Sequence, residues 1–143
     1  MGIWFSQSRK VKQSNWSYEF TMSKYVFFIS TEPYKYQAVD SLIEIAKAAI
    51  KKGHEIGGIF FFGTGVYNLK KEISCGTSIR NIPSKIEQFC AKNNIPVAGC
   101  STWVSITGLK ESEFIEGATE EGLGDFSNWA LEADKLIVFG AGG

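Results

Sequence analysis

The sequence predicts a single small α/β domain, doubly wound, with a mostly parallel sheet and helices on both faces. Three observations predict it. Short continuous apolar runs at 25–29, 56–62, 95–99 and 135–139 read as strands covered on both faces. The stretches between them carry helical periodicity, and strand–helix alternation implies right-handed crossovers into a parallel sheet. The chain has 143 residues, 44% hydrophobic and 21% charged, which is enough to bury one self-sufficient core and too short for two.

Residues 1–21 stand apart as an N-terminal extension, with the α/β domain spanning 22–143. The extension holds Arg9, Lys10 and Lys12 against Glu19, so the remainder is slightly acidic. It also holds Trp4, Phe5, Trp16, Tyr18 and Phe20, more aromatic than a typical disordered tail. Three readings stay open: Met22 is the true start, the segment is an arm docking on a neighbouring subunit, or it is flexible.

The first strand, 25–29, runs into a loop at Ser30–Tyr34, where Pro33 blocks backward continuation of a helix. Residues 36–52 then turn helical. Ala38, Leu42, Ile45, Ala46 and Ala49 share a face that Val39, Ile43 and Ile50 widen, and Gly53 stops the helix behind Lys51 and Lys52. The second strand covers 55–62. Gly57 and Gly58 weaken it locally and point to close approach of a neighbouring element.

A glycine-bearing loop, Gly63-Thr64-Gly65-Val66-Tyr67-Asn68, follows at the carboxyl edge of the sheet; it lacks the third glycine of a dinucleotide fingerprint. Residues 69–83 have weak periodicity and are expected to be loop. Ser84 with Glu87 forms a candidate capping box for a helix to Asn93, burying Ile86, Phe89 and Cys90. The third strand ends at Gly99-Cys100, and a helix from Ser101 to about Thr107 ends at Gly108. Glu111, Glu113 and Glu116 mark 109–118 as surface, with a short edge strand expected near Phe114-Ile115. A helix from Gly122-Leu123-Gly124 to Ala133 turns Phe126, Trp129 and Ala130 inward, and 135–139 is the last buried strand.

Formal net charge is zero, with 15 basic and 15 acidic residues, so no basic field points to direct nucleic-acid binding. No apolar run approaches the roughly 20 residues that span a bilayer, and a signal-peptide core is missing from 1–21. Cys75, Cys90 and Cys100 contain no C-x-x-C spacing and His54 is the sole histidine, so no metal site is predicted. Three unpaired thiols fit a reducing cytoplasm. Cys90 reads as core, His54 as a surface turn residue, and Phe60-Phe61-Phe62 as core or subunit interface.

The candidate site is the junction Val97-Ala98-Gly99-Cys100-Ser101-Thr102-Trp103. It puts a thiol at the carboxyl edge of the sheet, where open α/β domains bind ligands, and against a helix amino terminus, which favours anions. Cys100 is the candidate catalytic residue; Gly99, Ser101, Thr102, Trp103, Gly65, Tyr67 and Asn68 are candidate pocket residues. For Asn68, hydrogen bonding within its own turn is an equal reading. Cys75, in a glycine-containing loop, is a possible second thiol or simply an exposed one.

Four segments carry a family resemblance: Pro33-Tyr34; Gly53-His54-Glu55-Ile56 through Phe60-Phe61-Phe62 to Gly65-Val66-Tyr67-Asn68; Val97-Ala98-Gly99-Cys100 with Gly108; and Gly117-x-Thr119-x-x-Gly122-Leu123-Gly124 with the final helix and strand. Over about 22–139 the chain resembles the DsrE family of sulfur-relay proteins, particularly the DsrE/TusD type. The resemblance implies a small doubly wound domain without a cofactor that assembles into homo-trimers or homo-hexamers, or into hetero-oligomers with related subunits. It implies a persulfide carrier, in which Cys100 accepts sulfane sulfur from a donor protein and passes it to an acceptor such as a TusA-like carrier, in tRNA thiolation or dissimilatory sulfur metabolism. The chain departs from the TusD type at Ile106-Thr107, where those relatives carry two arginines.

Sulfur transfer needs a thiolate, and a free cysteine with a pKa near 8.5 is only a few per cent ionised at neutral pH. A helix amino terminus stabilises an anion by ~0.3–1 kcal/mol, up to ~2 when partly buried, lowering the pKa by up to roughly one and a half units. Without the arginines, that helix end must do most of the activation. Two other functions stay open: a structural subunit whose partner carries the sulfur, and a flavodoxin-like nucleotide or flavin binder, which the missing phosphate-cradling glycines disfavour.

Overall fold

The computed structural model describes residues 9–12 and 19–140. Trp4, Phe5, Trp16 and Tyr18 of the extension lie outside the described residues. Two short strands come first, β1 (Arg9–Lys12) and β2 (Glu19–Met22), paired antiparallel as a separate ribbon. The domain then follows as β3 (Lys24–Ile29), α1 (Ala38–Lys51), β4 (Glu55–Phe61), α2 (Ile82–Asn93), β5 (Val97–Cys100), α3 (Ser101–Thr107), β6 (Ala118–Glu121), α4 (Leu123–Glu132) and β7 (Lys135–Phe139).

The five domain strands form one parallel sheet in the order β6-β5-β4-β3-β7. Alternation along each strand sends successive side chains to opposite faces. One face carries Phe27, Ile29, Ile59, Phe61 and Val97, which pack with Val39, Leu42, Ile43 and Ala46 of α1 and Ile86 and Phe89 of α2. Each such fully buried aliphatic or aromatic side chain contributes about 1.5–3 kcal/mol of transfer free energy. The opposite face carries Phe60, Ala98 and Cys100, covered by Phe126 and Trp129 of α4 with Phe28, Phe62 and Trp103. Helices therefore lie on both faces, as expected.

The glycines of β4 have distinct causes. Gly57 is the extra residue of a bulge, since Tyr25 pairs Ile56 while Val26 pairs Gly58. Gly58 lies under the Trp129 ring: a Cβ there would sit 2.6 Å from Trp129 Cζ3. Close approach by a neighbouring element is thus the reason for the second glycine, and α4 is that element.

Several expectations are corrected. The loop at 63–68 is a 3-10 helix, Gly63–Leu69. The edge strand is Ala118–Glu121 rather than Phe114-Ile115, because Phe114 and Ile115 are buried and only Phe114 makes an isolated bridge, to Lys70. α2 starts two residues earlier than Ser84. Asn81 is its cap, with Oδ1 accepting from the Ser84 N–H at 3.0 Å, while Glu87 accepts from the Glu116 N–H instead of closing a box. Ile45 is 38% exposed on the outer edge of α1. β7 is a sheet edge, and all five of its residues are half-buried rather than fully covered.

His54 is more than a surface turn residue. Its Nδ1 accepts the Ser23 N–H at 3.1 Å, and its ring stacks on Phe20 of the ribbon, with centroids 5.6 Å apart. Phe20 also covers Gly53, whose φ of +84° ends α1. The ribbon is thereby fastened to the amino-terminal pole of the sheet.

Candidate functional site

Cys100 closes β5 and is the residue immediately before α3, with extended backbone (φ −61°, ψ 119°). The strand ends there because Ser101 onward turns helical, and α3 is stopped seven residues later by Gly108 at φ +75°. The thiol is therefore at the carboxyl edge of a parallel sheet and at a helix start, as the junction predicts. It is 1% exposed.

The side chain of Cys100 points into the α4 face of the sheet, beside Phe60 and Ala98. The layer above it is aromatic. Phe126 packs at a tilt against both Phe28 and Phe60, with centroids 4.9 Å apart, Trp129 meets Phe60 edge-on at 6.2 Å, and Trp103 meets Phe62 edge-on at 5.7 Å. Trp103, one turn along α3, is half-buried and packs against this cluster and the larger core alike. On the neighbouring strand, Glu121 is in register with Cys100, its carboxylate accepting the Thr119 hydroxyl at 3.2 Å.

The remaining pocket candidates divide between the two faces. Gly99 points the other way from Cys100: a Cβ there would meet Leu69 Cδ1 at 2.8 Å, with Val104 and Val66 next. Gly65 lets the loop after β4 approach β3, since a Cβ would sit 2.5 Å from the Ile29 carbonyl oxygen. Asn68 is fully buried and its Nδ2 donates to the carbonyls of Thr31 and Gly65 at 2.9 and 2.8 Å, which ties two carboxyl-edge loops together. Tyr67 is 38% exposed. Neither Tyr67 nor Asn68 belongs to the aromatic cluster around Cys100. Ser101 is half-buried and Thr102 exposed at the start of α3.

The other thiols differ in kind. Cys90 is buried on the opposite face, and burial pushes its pKa up to about 12, so it stays protonated at neutral pH. Cys75 is half-buried in the long loop before α2, with Sγ 3.8 Å from the Gly76 carbonyl. All three cysteines are free. Among the described residues no cluster of histidine, cysteine and carboxylate side chains could hold a metal ion, and no helix is long and apolar enough to cross a membrane.

Phe28, Phe60, Phe62, Phe126 and Trp129 complete the surroundings of Cys100, and their role there was not drawn from sequence. The signal was present in part: alternation from Cys100 places Ala98 on its face, and Phe126 and Trp129 are one turn apart on α4. What the sequence lacks is the pairing that lays Phe60 beside Ala98.

Residues 23–139 match the DsrE/DsrF-like family. A protein of Allochromatium vinosum named as a DsrE sulfurtransferase is 30% identical over 128 residues, covering 82% of this chain and 98% of its own length. A sulfurtransferase TusD homolog of Haemophilus influenzae is 28% identical over 124 residues, covering 80% and 98%. The fold matches the crystal structure of the ychN protein from E. coli with a TM-score of 0.71 at 22% identity, covering 82% of this chain and all of that one. A protein of unknown function from Methanobacterium thermoautotrophicum matches with a TM-score of 0.60 at 17% identity, covering 82% and 99%.

Proposed function

Because the chain belongs to the DsrE/DsrF-like family, we propose that it is a sulfur carrier that takes sulfane sulfur as a persulfide on Cys100 and passes it to an acceptor protein. The observation that carries this reading is the position of Cys100 at the β5–α3 junction, in a chain whose relatives are named sulfurtransferases. Cys90 is unsuited, being held protonated on the far face.

In the forward step the Cys100 thiolate attacks the outer sulfur of a donor persulfide. A new S–S bond forms on Cys100, the donor S–S bond breaks, and the donor leaves as a thiolate with no net oxidation. The acceptor thiolate repeats the exchange on the Cys100 persulfide. Trp103, packed against the cluster that holds Cys100, shields the outer sulfur from solvent. With the thiol 1% exposed, transfer requires the aromatic layer to part when a partner docks on the carboxyl edge. Partners are then sulfur donor and acceptor proteins, a TusA-like carrier among them, acting in the cytoplasm on a trimer, a hexamer or a mixed assembly of related subunits.

The test is mass spectrometry after incubation with a sulfane-sulfur donor. The protein should gain the mass of one sulfur atom, and the gain should vanish in Cys100→Ser. Unchanged loading in that variant would overturn the assignment. A structural-subunit reading has one observation in its favour: exposed Ile106 and half-buried Thr107 provide no cation near a buried thiol. Assembly with a relay partner without any loading of Cys100 would select it.

A further inference from the structure

The two edges of the sheet are built differently. β6, the outer strand on one side, carries Thr119, Glu120 and Glu121, and the Glu111 carboxylate accepts its Glu120 N–H at 3.0 Å. Charges and a side-chain cap of this kind close an edge to further strands. β7, the outer strand on the other side, reads Lys135-Leu136-Ile137-Val138-Phe139, with no charge after its first residue. We propose that β7 pairs antiparallel with β7 of a second copy of this chain, about a two-fold axis at Ile137, so that the two sheets become one.

Backbone direction fixes which groups of β7 face the open side. Phe139 turns its carbonyl to β3, where it accepts the Ser30 N–H at 3.0 Å. Alternation along the strand turns Ile137 to β3 as well, and turns the N–H and C=O groups of Leu136 and Val138 outward. Among the described residues β3 is the only strand beside β7, so these four outward groups meet no strand. A row of unpaired backbone groups on an apolar strand is a template for another strand.

A second β7 answers that template in the register that overlays the strand on itself. Leu136 exchanges both backbone bonds with the partner's Val138, and Val138 does the same with the partner's Leu136, so all four groups are used. Leu136 and Val138 project to the α4 face, where Val138 is in register with Phe28, and Ile137 projects to the α1–α2 face. Opposed side chains are therefore apolar on both faces. Lys135 and the partner's Lys135 fall at opposite ends of the pair, about 14 Å apart and beyond the screening length of ~8 Å. Formal net charge is zero, so two copies meet without net repulsion. Five residues span about 17 Å of edge, and a sheet with a helix layer on each face is roughly 30 Å thick. The pair then buries roughly 1,000 Å², the lower bound of a specific interface, which suits a reversible dimer. Pairing reverses the second sheet, so the two carboxyl edges face opposite ways and each Cys100, three strands from the axis, stays open to partners. This inference goes beyond the sulfur-carrier reading and stands without it.

The experiment is analytical ultracentrifugation of the full chain over a concentration series. The wild-type mass should approach an even multiple of the chain mass. Val138→Pro removes an outward N–H and leaves the β3 ladder intact, since proline is tolerated on an edge strand where the N–H faces away. That variant should halve the assembled mass. Ile137→Cys, at a non-hydrogen-bonded pair, sets two thiols on Cα atoms about 4.5 Å apart, within disulfide reach. Mild oxidation should cross-link it into covalent dimers through that position, whether or not the proline variant folds. A monomer or an odd-numbered assembly at every concentration, an unchanged mass in folded Val138→Pro, or no cross-link in Ile137→Cys would overturn the proposal. Leu136 and Val138 amides protected from hydrogen exchange in a dilute monomer would assign the edge to residues 1–8 of the same chain, and protection only in complex with a different protein would assign it to a foreign strand; either result also overturns it.

Discussion

Gly58→Ala tests whether α4 is the cover over the candidate thiol. The added methyl would sit 2.6 Å from Trp129 Cζ3 and 2.7 Å from Cε3, whereas carbon atoms rest at about 3.5–4.0 Å. The indole must therefore retreat by about 1 Å, taking with it a helix that contributes no fully buried residue of its own. Overpacking of this kind costs ~1–3 kcal/mol, offset by the ~0.5–1 kcal/mol that alanine gains over glycine inside a strand. At mid-range values the net loss is about 1.2 kcal/mol, which corresponds to about eightfold more frequent opening. The assay is alkylation of the native protein with site-resolved mass spectrometry, alongside urea unfolding. Cys90 lies under the other helix layer and reports global opening, so the Cys100-to-Cys90 labelling ratio isolates the α4 face. The ratio should rise in Gly58→Ala, and a leucine at Trp129 should restore stability in the double variant. Wild-type stability with an unchanged ratio would refute the reasoning.

Other predictions follow from the same contacts. Burial, with Lys135 and Lys52 nearby, holds the His54 pKa below its ordinary 6.5. On acidification the unfolded chain takes up that proton first, so stability is full above about pH 6.5 and declines as the pH falls toward the folded-state value. The other groups around the ring are Tyr25, which Lys135 covers at 5.4 Å, and Glu55, which Lys24 engages at 3.6 Å. Protection of the Ser23 amide against hydrogen exchange should fall as the pH drops below about 6.5, and His54→Gln should remove most of that dependence; equal dependence in both proteins would show that another group titrates. Asn81→Ala should cost ~0.5–2 kcal/mol in chemical denaturation, whereas Ser84→Ala should stay within ~0.5 kcal/mol. The reverse order would place the start of α2 at Ser84.

The fold was legible because buried parallel strands write themselves as unbroken apolar runs, and 25–29 and 56–62 are of that kind. The same property hid the face each residue takes. Phe60, Phe61 and Phe62 look alike in sequence, yet Phe61 enters the α1–α2 core while Phe60 lies beside Cys100. For that reason Tyr67 and Asn68 could be placed at the right edge of the sheet but not on the right face. β6 was misplaced because Ala118-Thr119-Glu120-Glu121 is an edge strand paired with β5 alone, and charged edges carry no apolar signature. The cap at Asn81 was missed because a serine followed by a glutamate three residues on is the stronger local pattern, and Pro83 at the first turn fits either start.

The parallel sheet also fixes where reporters can be attached. Every strand from β3 to β7 leaves the sheet at the edge that Cys100 occupies, so Gly140 emerges there too, three strand spacings or about 14 Å from the thiol. The β1–β2 ribbon, clasped by Phe20 and His54, lies at the opposite pole. A fluorophore or spin label at Gly140 would sense a protein arriving at the carboxyl edge, and one on the ribbon would remain silent to the same arrival. The two labels together give a direction to any docking event.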